Sequence, residues 1–161
     1  MIDMFNVKNA DFEDVKLMSE IMVKSFRYAF SAFISKQTMD TYTIEENCRV
    51  MLENLYIEGK MHFLLGEKSG MLVWQNAEDN LAEIVAIHSL PKSFGTGLGE
   101  AMLKKALSQM KETGQKSVFL WAFKENKRAR RFYEKHGFTV DGTERISEFD
   151  DAVEVRYIKN I

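Results

Sequence analysis

The sequence contains few of the residues that mark disulfide-bonded, metal-binding or multidomain proteins. Its single cysteine, Cys48, excludes an internal disulfide, and its three widely scattered histidines give no metal-ligand spacing, so no metal is expected. One proline and the absence of repeats or polar linkers favour a single domain over residues 1–161. No apolar run approaches the roughly 18 residues of a membrane span, and residues 1–5 lack the pattern of a signal peptide. We therefore expect a cytoplasmic protein with no membrane partner.

Neither sign of charge dominates the chain. It has 22 Lys and Arg residues against 24 Asp and Glu residues, so it lacks the overall positive field that holds nucleic acid. The one basic run, 124–131, includes Glu125 and is followed by Glu134, which is typical of the solvated face of a helix. Hydrophobic residues make up 45% of the chain, enough for a substantial core. We expect a folded protein with no nucleic-acid partner.

The pattern of apolar residues changes near Met61. Before it, Asp11 is placed to cap a helix that runs to about residue 34, and Thr43 and Glu46 form a capping-box pattern for a helix that ends near Gly59. After it, short apolar runs alternate with turn residues and helical segments. The strands expected are 2–7, 61–65, 70–74, 81–90, 117–123, 138–146 and 153–158, and the later helices are 97–112 and 126–135. This pattern predicts an α/β or α+β fold with a mixed, mostly antiparallel sheet flanked by helices on both faces.

A glycine-rich turn joins the strand that ends near Leu90 to the helix that begins near Gly97. Three alternating glycines let backbone N–H groups approach an anion closely, and the helix dipole adds positive potential, so the turn suits a phosphate. It is not a Walker loop, because Gly99 is followed by Glu100 rather than lysine. It is not a dinucleotide fingerprint, because the third glycine of that pattern is missing. A simple tight turn is the alternative.

This segment resembles the Q/R-x-x-G-x-G/A loop of the GNAT N-acetyltransferases, with Phe94 at the Q/R position and Gly97 and Gly99 in place. A second family signature is similar to the residues that follow the next strand, which are Asn126, Ala129, Phe132, Tyr133, Gly137 and Phe138. Two signatures in the expected order, over roughly residues 60–140, identify the chain as a GNAT-like acyltransferase. The resemblance implies acetyl-CoA as cosubstrate, no metal, and direct transfer of the acetyl group to an amine. Phe94 and Ser89 depart from the usual family residues.

The resemblance also assigns residues to the cosubstrate. The strand residues Ile87, His88 and Ser89 would run beside the pantetheine arm, with Asn126 on its other side. The residues that would cradle the pyrophosphate are Phe94, Gly95, Thr96, Gly97, Leu98 and Gly99. Ala129 and Tyr133 complete the expected binding set, and one or two cations of the run 124–131 would meet the 3′-phosphate. Asn126 is equally suited to cap the helix that it precedes.

Two residues are candidates for the chemistry. Tyr133, a phenol with a reference pKa of about 10, would protonate the departing thiolate, although packing on the apolar helix face is the alternative. Glu83 would accept the proton of the amine, or it is a charge at the exposed start of a strand. Alternation along the strand predicts that His88 lies on the face opposite Glu83, as packing or as a neighbour of the cosubstrate.

The resemblance is compatible with several classes of acceptor. A small, polyamine-like or metabolite amine is the first choice, and a protein N-terminus or lysine, or a non-catalytic acetyl-CoA sensor, are the alternatives. Aromatic and Met residues between positions 26 and 42 either pack in the core or, in part, border the acceptor site, as the resemblance implies; they are Phe26, Tyr28, Phe30, Phe33, Met39 and Tyr42. The carboxylates expected to draw a cationic acceptor are Glu144, Glu148, Asp150, Asp151 and Glu154. A homodimer is compatible with the sequence, which does not fix the oligomeric state.

Overall fold

A computed structural model describes residues 4–161 as one seven-stranded sheet with five α-helices. The helices are α1 (Val15–Phe30), α2 (Lys36–Tyr42), α3 (Glu45–Glu58), α4 (Leu98–Glu112) and α5 (Lys127–Lys135). The strands are β1 (Val7–Asn9), β2 (Met61–Gly66), β3 (Gly70–Glu78), β4 (Leu81–Ser89), β5 (Ser117–Phe123), β6 (Thr139–Ile146) and β7 (Val153–Asn160). Within these described residues, none of the helices is long and apolar enough to cross a membrane.

The strands lie in the order β1-β2-β3-β4-β5-β7-β6, and every neighbouring pair is antiparallel except β4 and β5. The parallel pair is connected by α4, because parallel neighbours need a long crossover. The predicted mixed, mostly antiparallel sheet is therefore confirmed. The predicted start of the first strand, at Ile2 and Asp3, lies outside the described residues.

Two hydrophobic clusters cover the two faces of the sheet. Side chains alternate along a strand, so in β2 Leu64 packs toward α4, while Phe63 and Leu65 pack toward α1 and α3. In β3, Leu72 and Trp74 join the α4 cluster, and Met71 and Val73 join the other. Because both faces are buried, these strands are continuous apolar runs in the sequence. The helices thus lie on both faces, as predicted.

The first third of the chain departs from the sequence-based prediction. The first helix ends at Phe30, not near residue 34, and a short helix, α2, follows. Thr43 does not cap α3, because its hydroxyl donates instead to the carbonyl of Met39 at 2.6 Å. Ile44 is the residue at the cap position, and it makes no side-chain cap. The capping-box prediction was wrong, since the hydroxyl is used by the end of α2.

A β-bulge at Val85 changes the faces of β4. The residues paired with Trp74 and Val73 of β3 are Ile84 and Ala86, so Val85 has no partner in that ladder. One extra residue reverses the alternation, which places Glu83 and His88 on the same face, toward α1. The prediction that they lie on opposite faces was wrong for this reason.

Candidate active site

A cleft of about 870 Å³ opens between β4 and β5. The two strands pair from Leu81 and Ser117 as far as Ile84 and Leu120. Among the described strands, β4 is paired with β3 alone beyond that point, so alternate backbone N–H and C=O groups of residues 85–89 face the cleft. Helices α1, α4 and α5 and the turn between β6 and β7 complete its walls. The cleft can therefore hold an extended polar ligand along β4.

The glycine turn lies at the edge of this cleft and offers free backbone donors. Gly97 precedes the first residue of α4 with φ of +97°, a conformation that requires glycine. Among the described residues, no acceptor bonds the N–H groups of Gly97, Gly99 and Glu100, since the first helical bond of α4 is from Ala101 to Gly97. Three free donors at the N-terminus of a fifteen-residue helix suit a diphosphate. The Glu100 carboxylate is paired with Lys104 at 3.1 Å.

Phe94, which stands at the family's Q/R position, has a cationic partner from another helix. The guanidinium of Arg128 lies over the Phe94 ring, with its Cζ 3.4 Å from the ring centroid. The ring of Tyr28 packs at 5.5 Å from the same ring. This stack holds Arg128 at the wall of the cleft. A side-chain cation therefore stands beside the glycine turn, supplied by α5 instead of by the loop itself. The sequence had indicated it only as one member of the basic run 124–131.

Tyr133 is buried in the cluster between the sheet and α4, yet it also lines the cleft. Burial raises its pKa above the ordinary value of 10.0, and the nearby charge of Arg128 acts in the opposite direction. The phenol is thus protonated at neutral pH. No described residue forms a side-chain hydrogen bond with the hydroxyl, which leaves it free to donate to a ligand. The packing role and the donor role are compatible.

Glu83 lies on the strand wall of the cleft, on the face toward α1. Its carboxylate accepts a hydrogen bond from the side-chain amide of Gln75 at 3.0 Å. This neutral donor orients the carboxylate without neutralising it. His88 on the same face contacts the Ser25 hydroxyl at 3.1 Å, and burial lowers its pKa to about 4. Its imidazole is therefore uncharged at neutral pH, is turned toward α1, and lines the cleft together with Ser25.

The other predicted binding residues divide into two groups. Those that line the cleft are Ile87, Ser89, Phe94, Gly95, Thr96, Gly97, Gly99, Asn126 and Ala129. Leu98 does not, because its side chain is buried in the core between α4 and the sheet. The carbonyl oxygen of the Asn126 side chain accepts from the N–H of Ala129 at 3.3 Å. Asn126 therefore caps α5 and lines the cleft at the same time.

The half of the cleft that faces α1 is mostly aromatic. Phe26 and Phe30 of α1, Phe123 of β5 and Phe149 of the β6–β7 turn line it, and we call these four residues the phenylalanine wall. Phe26 and Phe30 were expected there, whereas Phe123 and Phe149 were not. A sequence signal for these two residues existed, because Phe123 ends a strand and Phe149 lies within a turn. Aromatic residues are uncommon at such solvent-exposed positions, so their presence indicates contact with another part of the protein or with a ligand.

The acidic residues of the closing hairpin are largely engaged with other groups. Glu144 pairs with Lys124 at 3.2 Å, and Glu154 pairs with Arg145 at 2.7 Å. Asp150 accepts a hydrogen bond from the backbone of Ser35. These contacts leave less free negative charge than the sequence suggested. Over residues 4–161, moreover, no group of three or more His, Cys, Asp or Glu side chains is arranged to hold a metal ion.

Comparison with known proteins gives matches to acetyltransferases. The model of the acetyltransferase (GNAT) family matches residues 16–138, which is more than half of the chain. An uncharacterized N-acetyltransferase from Mycobacterium tuberculosis is 33% identical over 78 residues, covering 48% of this chain and 50% of that protein. The chain thus spans about half the length of this relative.

Two further proteins match over most of their length. A spermidine N(1)-acetyltransferase from Thermoplasma acidophilum is 21% identical over 145 residues, 86% of this chain and 90% of that protein. The crystal structure of PaiA N-acetyltransferase from Thermoplasma acidophilum, in complex with coenzyme A, superposes with a TM-score of 0.85 at 18% identity, over 99% of this chain and 100% of that chain. This structural match supports the fold.

Proposed function

Because the chain belongs to the GNAT acetyltransferase family, we propose that it transfers an acetyl group from acetyl-CoA directly to the amino group of a small molecule. The observation that carries the proposal is the convergence of three features on one cleft. Free N–H groups of the glycine turn suit the pyrophosphate, the unpaired edge of β4 suits the pantetheine amides, and Tyr133 and Glu83 line the same space. The coenzyme A complex of the structural neighbour supports this use of the cleft.

The binding residues have distinct roles in this proposal. Backbone donors at Gly97, Gly99 and Glu100, with the positive end of α4, would hold the pyrophosphate. Arg128 would add a side-chain charge, and its stack on Phe94 would limit its movement. When bound, acetyl-CoA supplies an activated thioester whose acetyl carbon is open to attack by an amine.

One catalytic residue would accept a proton from the amine, and the other would donate a proton to the leaving group. An alkyl amine with a pKa of about 10.4 is mostly protonated at neutral pH, so Glu83 would take one proton, directly or through a water. The amine nitrogen then bonds to the acetyl carbon, and the carbon–sulfur bond breaks. The second proton that the nitrogen loses on becoming an amide would pass, directly or through a water, to the Tyr133 oxygen and replace the proton that Tyr133 gives to sulfur. The Tyr133 hydroxyl would donate to the sulfur, which leaves as the thiol. No covalent intermediate on the protein is required.

The experiment that tests this function is a thiol-release assay with acetyl-CoA and a panel of amines, alongside calorimetric titration of acetyl-CoA. We expect saturable binding of acetyl-CoA and amine-dependent release of CoA, with the acetylated amine identified by mass spectrometry. The relative named as a spermidine acetyltransferase supports a small-molecule acceptor. Binding of acetyl-CoA without release for any small amine or peptide would contradict an enzymatic role and favour a sensor of acetyl-CoA.

A further inference from the structure

The phenylalanine wall is a continuous surface. The ring centroids of Phe26 and Phe30 are 4.6 Å apart, those of Phe30 and Phe123 are 4.9 Å apart, and those of Phe26 and Phe149 are 5.2 Å apart. The ring centroids of Phe123 and Phe149 are 6.1 Å apart, so each of the four rings contacts two others. All four pairs meet edge to face, the arrangement that aromatic rings prefer. Rings at these separations leave no room for a ligand among them, so the wall presents one apolar side to the cleft.

The wall is built from segments that are distant in the sequence. Phe26 and Phe30 belong to α1, Phe123 ends β5, and Phe149 lies in the turn between β6 and β7. Three of the four rings are only half-buried, and the side that is not buried faces the cleft. Leaving several phenylalanines partly exposed to water is unfavourable unless a ligand covers them. The wall is therefore suited to contact the body of the acceptor.

The carboxylates around this space are few and mostly paired with cations. Three carboxylates line the cleft in the described residues, and two of them have cationic partners: Glu100 with Lys104 at 3.1 Å, and Glu154 with Arg145 at 2.7 Å. Within residues 4–161, the Glu83 carboxylate is bonded only to the neutral amide of Gln75. The space thus offers one uncompensated negative charge, which matches one ammonium group.

We propose, resting on the proposed function above, that the acceptor is a monoamine whose amino group is joined by a short chain to a flat apolar ring. The ring would cover the phenylalanine wall, and the amino group would reach Glu83. A polyamine fits less well, because its second ammonium would lie against phenylalanine rings without a carboxylate. Cation–π attraction recovers only part of the cost of removing that charge from water.

The test compares 2-phenylethylamine with the diamine putrescine in the thiol-release assay. We expect kcat/KM to be at least about tenfold higher for 2-phenylethylamine, as is usual when an apolar group fills an apolar pocket. Phe149→Ala should lower kcat/KM for 2-phenylethylamine by about tenfold or more and change that for putrescine by less than about threefold. Phe149→Leu, which keeps an apolar side chain, should have a smaller effect.

A matched control and a binding measurement separate the possible outcomes. Phe12→Ala removes another partly exposed phenylalanine, which packs on Tyr56 away from the cleft. This variant should have the wild-type kcat/KM for both amines. Binding of 2-phenylethylamine to the protein loaded with CoA is measured by calorimetry, independently of turnover. Binding without acetyl transfer would support the acceptor class and contradict the proposed function. A higher kcat/KM for putrescine, or no binding of 2-phenylethylamine to the CoA complex, would overturn the proposed acceptor class. Acetylation of putrescine would in that case still support the proposed acetyltransferase function.

Discussion

The Asp150 carboxylate accepts a hydrogen bond from the backbone N–H of Ser35, with 2.5 Å between the two atoms. The same carboxylate also accepts from the Thr38 hydroxyl, so it bonds both the residue before α2 and the first turn of that helix. Asp150 directly follows Phe149 in the β6–β7 turn. The contact therefore joins the turn that carries Phe149 to the segment that directly follows α1. Helix α1 itself carries Phe26 and Phe30.

This contact predicts that Asp150→Asn loosens the acceptor side of the cleft. Asparagine tolerates the left-handed backbone of Asp150, φ +55°, so the substitution mainly removes the charge. We expect a higher KM for the amine, an unchanged affinity for acetyl-CoA and a lower Tm at pH 7. Equal losses of affinity for both substrates would show instead that the whole cleft is disturbed.

The Tm difference should also depend on pH. Hydrogen bonds from Thr38 and Ser35 lower the pKa of Asp150 below its ordinary value of 3.8. A depressed carboxyl pKa contributes stability above the unfolded value, and that stability is lost as the pH falls through the folded value. The Tm difference between the wild type and Asp150→Asn is therefore expected to be full at pH 7 and to shrink below about pH 4. A difference that is constant down to pH 3 would contradict this account.

Gly97→Ala tests the turn at the start of α4. Alanine is strained at φ +97°, by about 1–2 kcal/mol, and the turn must relax away from the geometry that aims its N–H groups. We expect the affinity for acetyl-CoA, measured by calorimetry, to fall by about tenfold or more, the effect of losing a hydrogen bond to a charged group.

Gly114→Ala provides the matched control. Gly114 has φ of +86°, lies in open space after α4, and does not line the cleft. The Gly114→Ala variant should lose about as much stability as Gly97→Ala and keep the wild-type affinity for acetyl-CoA. If both variants lose affinity equally, stability and not local geometry explains the result.

Arg128→Ala tests the cation stacked on Phe94. We expect the affinity for acetyl-CoA to fall by about tenfold, with a weaker dependence on salt, because a charged contact to a phosphate is lost. Arg131 lies on the same helix, is exposed and does not line the cleft. Arg131→Ala should therefore bind acetyl-CoA as the wild type does, and a similar loss in both variants would indicate only a general effect of positive charge.

Tyr133→Phe removes a hydroxyl that lines the cleft without a hydrogen-bond partner among the described side chains. We expect kcat to fall by about 10²-fold, the usual effect of a lost general acid, with Tm and acetyl-CoA affinity nearly unchanged. Tyr157 offers the opposite case, because its hydroxyl accepts from Arg130 at 2.9 Å and donates to Glu134 at 2.7 Å. Tyr157→Phe should lower stability by about 1–3 kcal/mol and leave kcat unchanged. A wild-type kcat in Tyr133→Phe would show that water, and not Tyr133, protonates the departing thiolate.

Glu83→Gln should lower kcat strongly at pH 7 and recover part of the loss at higher pH. The recovery is expected because more of the amine is then unprotonated and needs no base. The pH–rate profile from pH 6 to 10 is the measurement. Glu78→Gln, at the exposed end of β3, should keep the wild-type profile. An unshifted profile in Glu83→Gln would show that another group accepts the proton.

The sequence by itself determined the elements and their order from Met61 onward. The strand over residues 117–123 and the glycine turn before α4 follow from local rules, namely alternation, apolar periodicity and the positive φ of glycine. These signals act between residues a few positions apart. The mixed character of the sheet then follows, because short connections favour antiparallel neighbours and the long connection through α4 allows β4 and β5 to run parallel. The insertion of β7 between β5 and β6 does not follow from the sequence.

The tertiary structure decided which side chains meet in the cleft. The bulge at Val85 places Glu83 and His88 on one face, and only the pairing of β4 with β3 fixes its position. The sequence carried a weak sign of it, since four consecutive apolar residues, 84–87, interrupt the alternation. The contacts of Phe149 with Phe26 and of Asp150 with Ser35 join segments more than a hundred residues apart. Such contacts form because the sheet brings the β6–β7 turn against α1 and α2, and no local pattern encodes that approach.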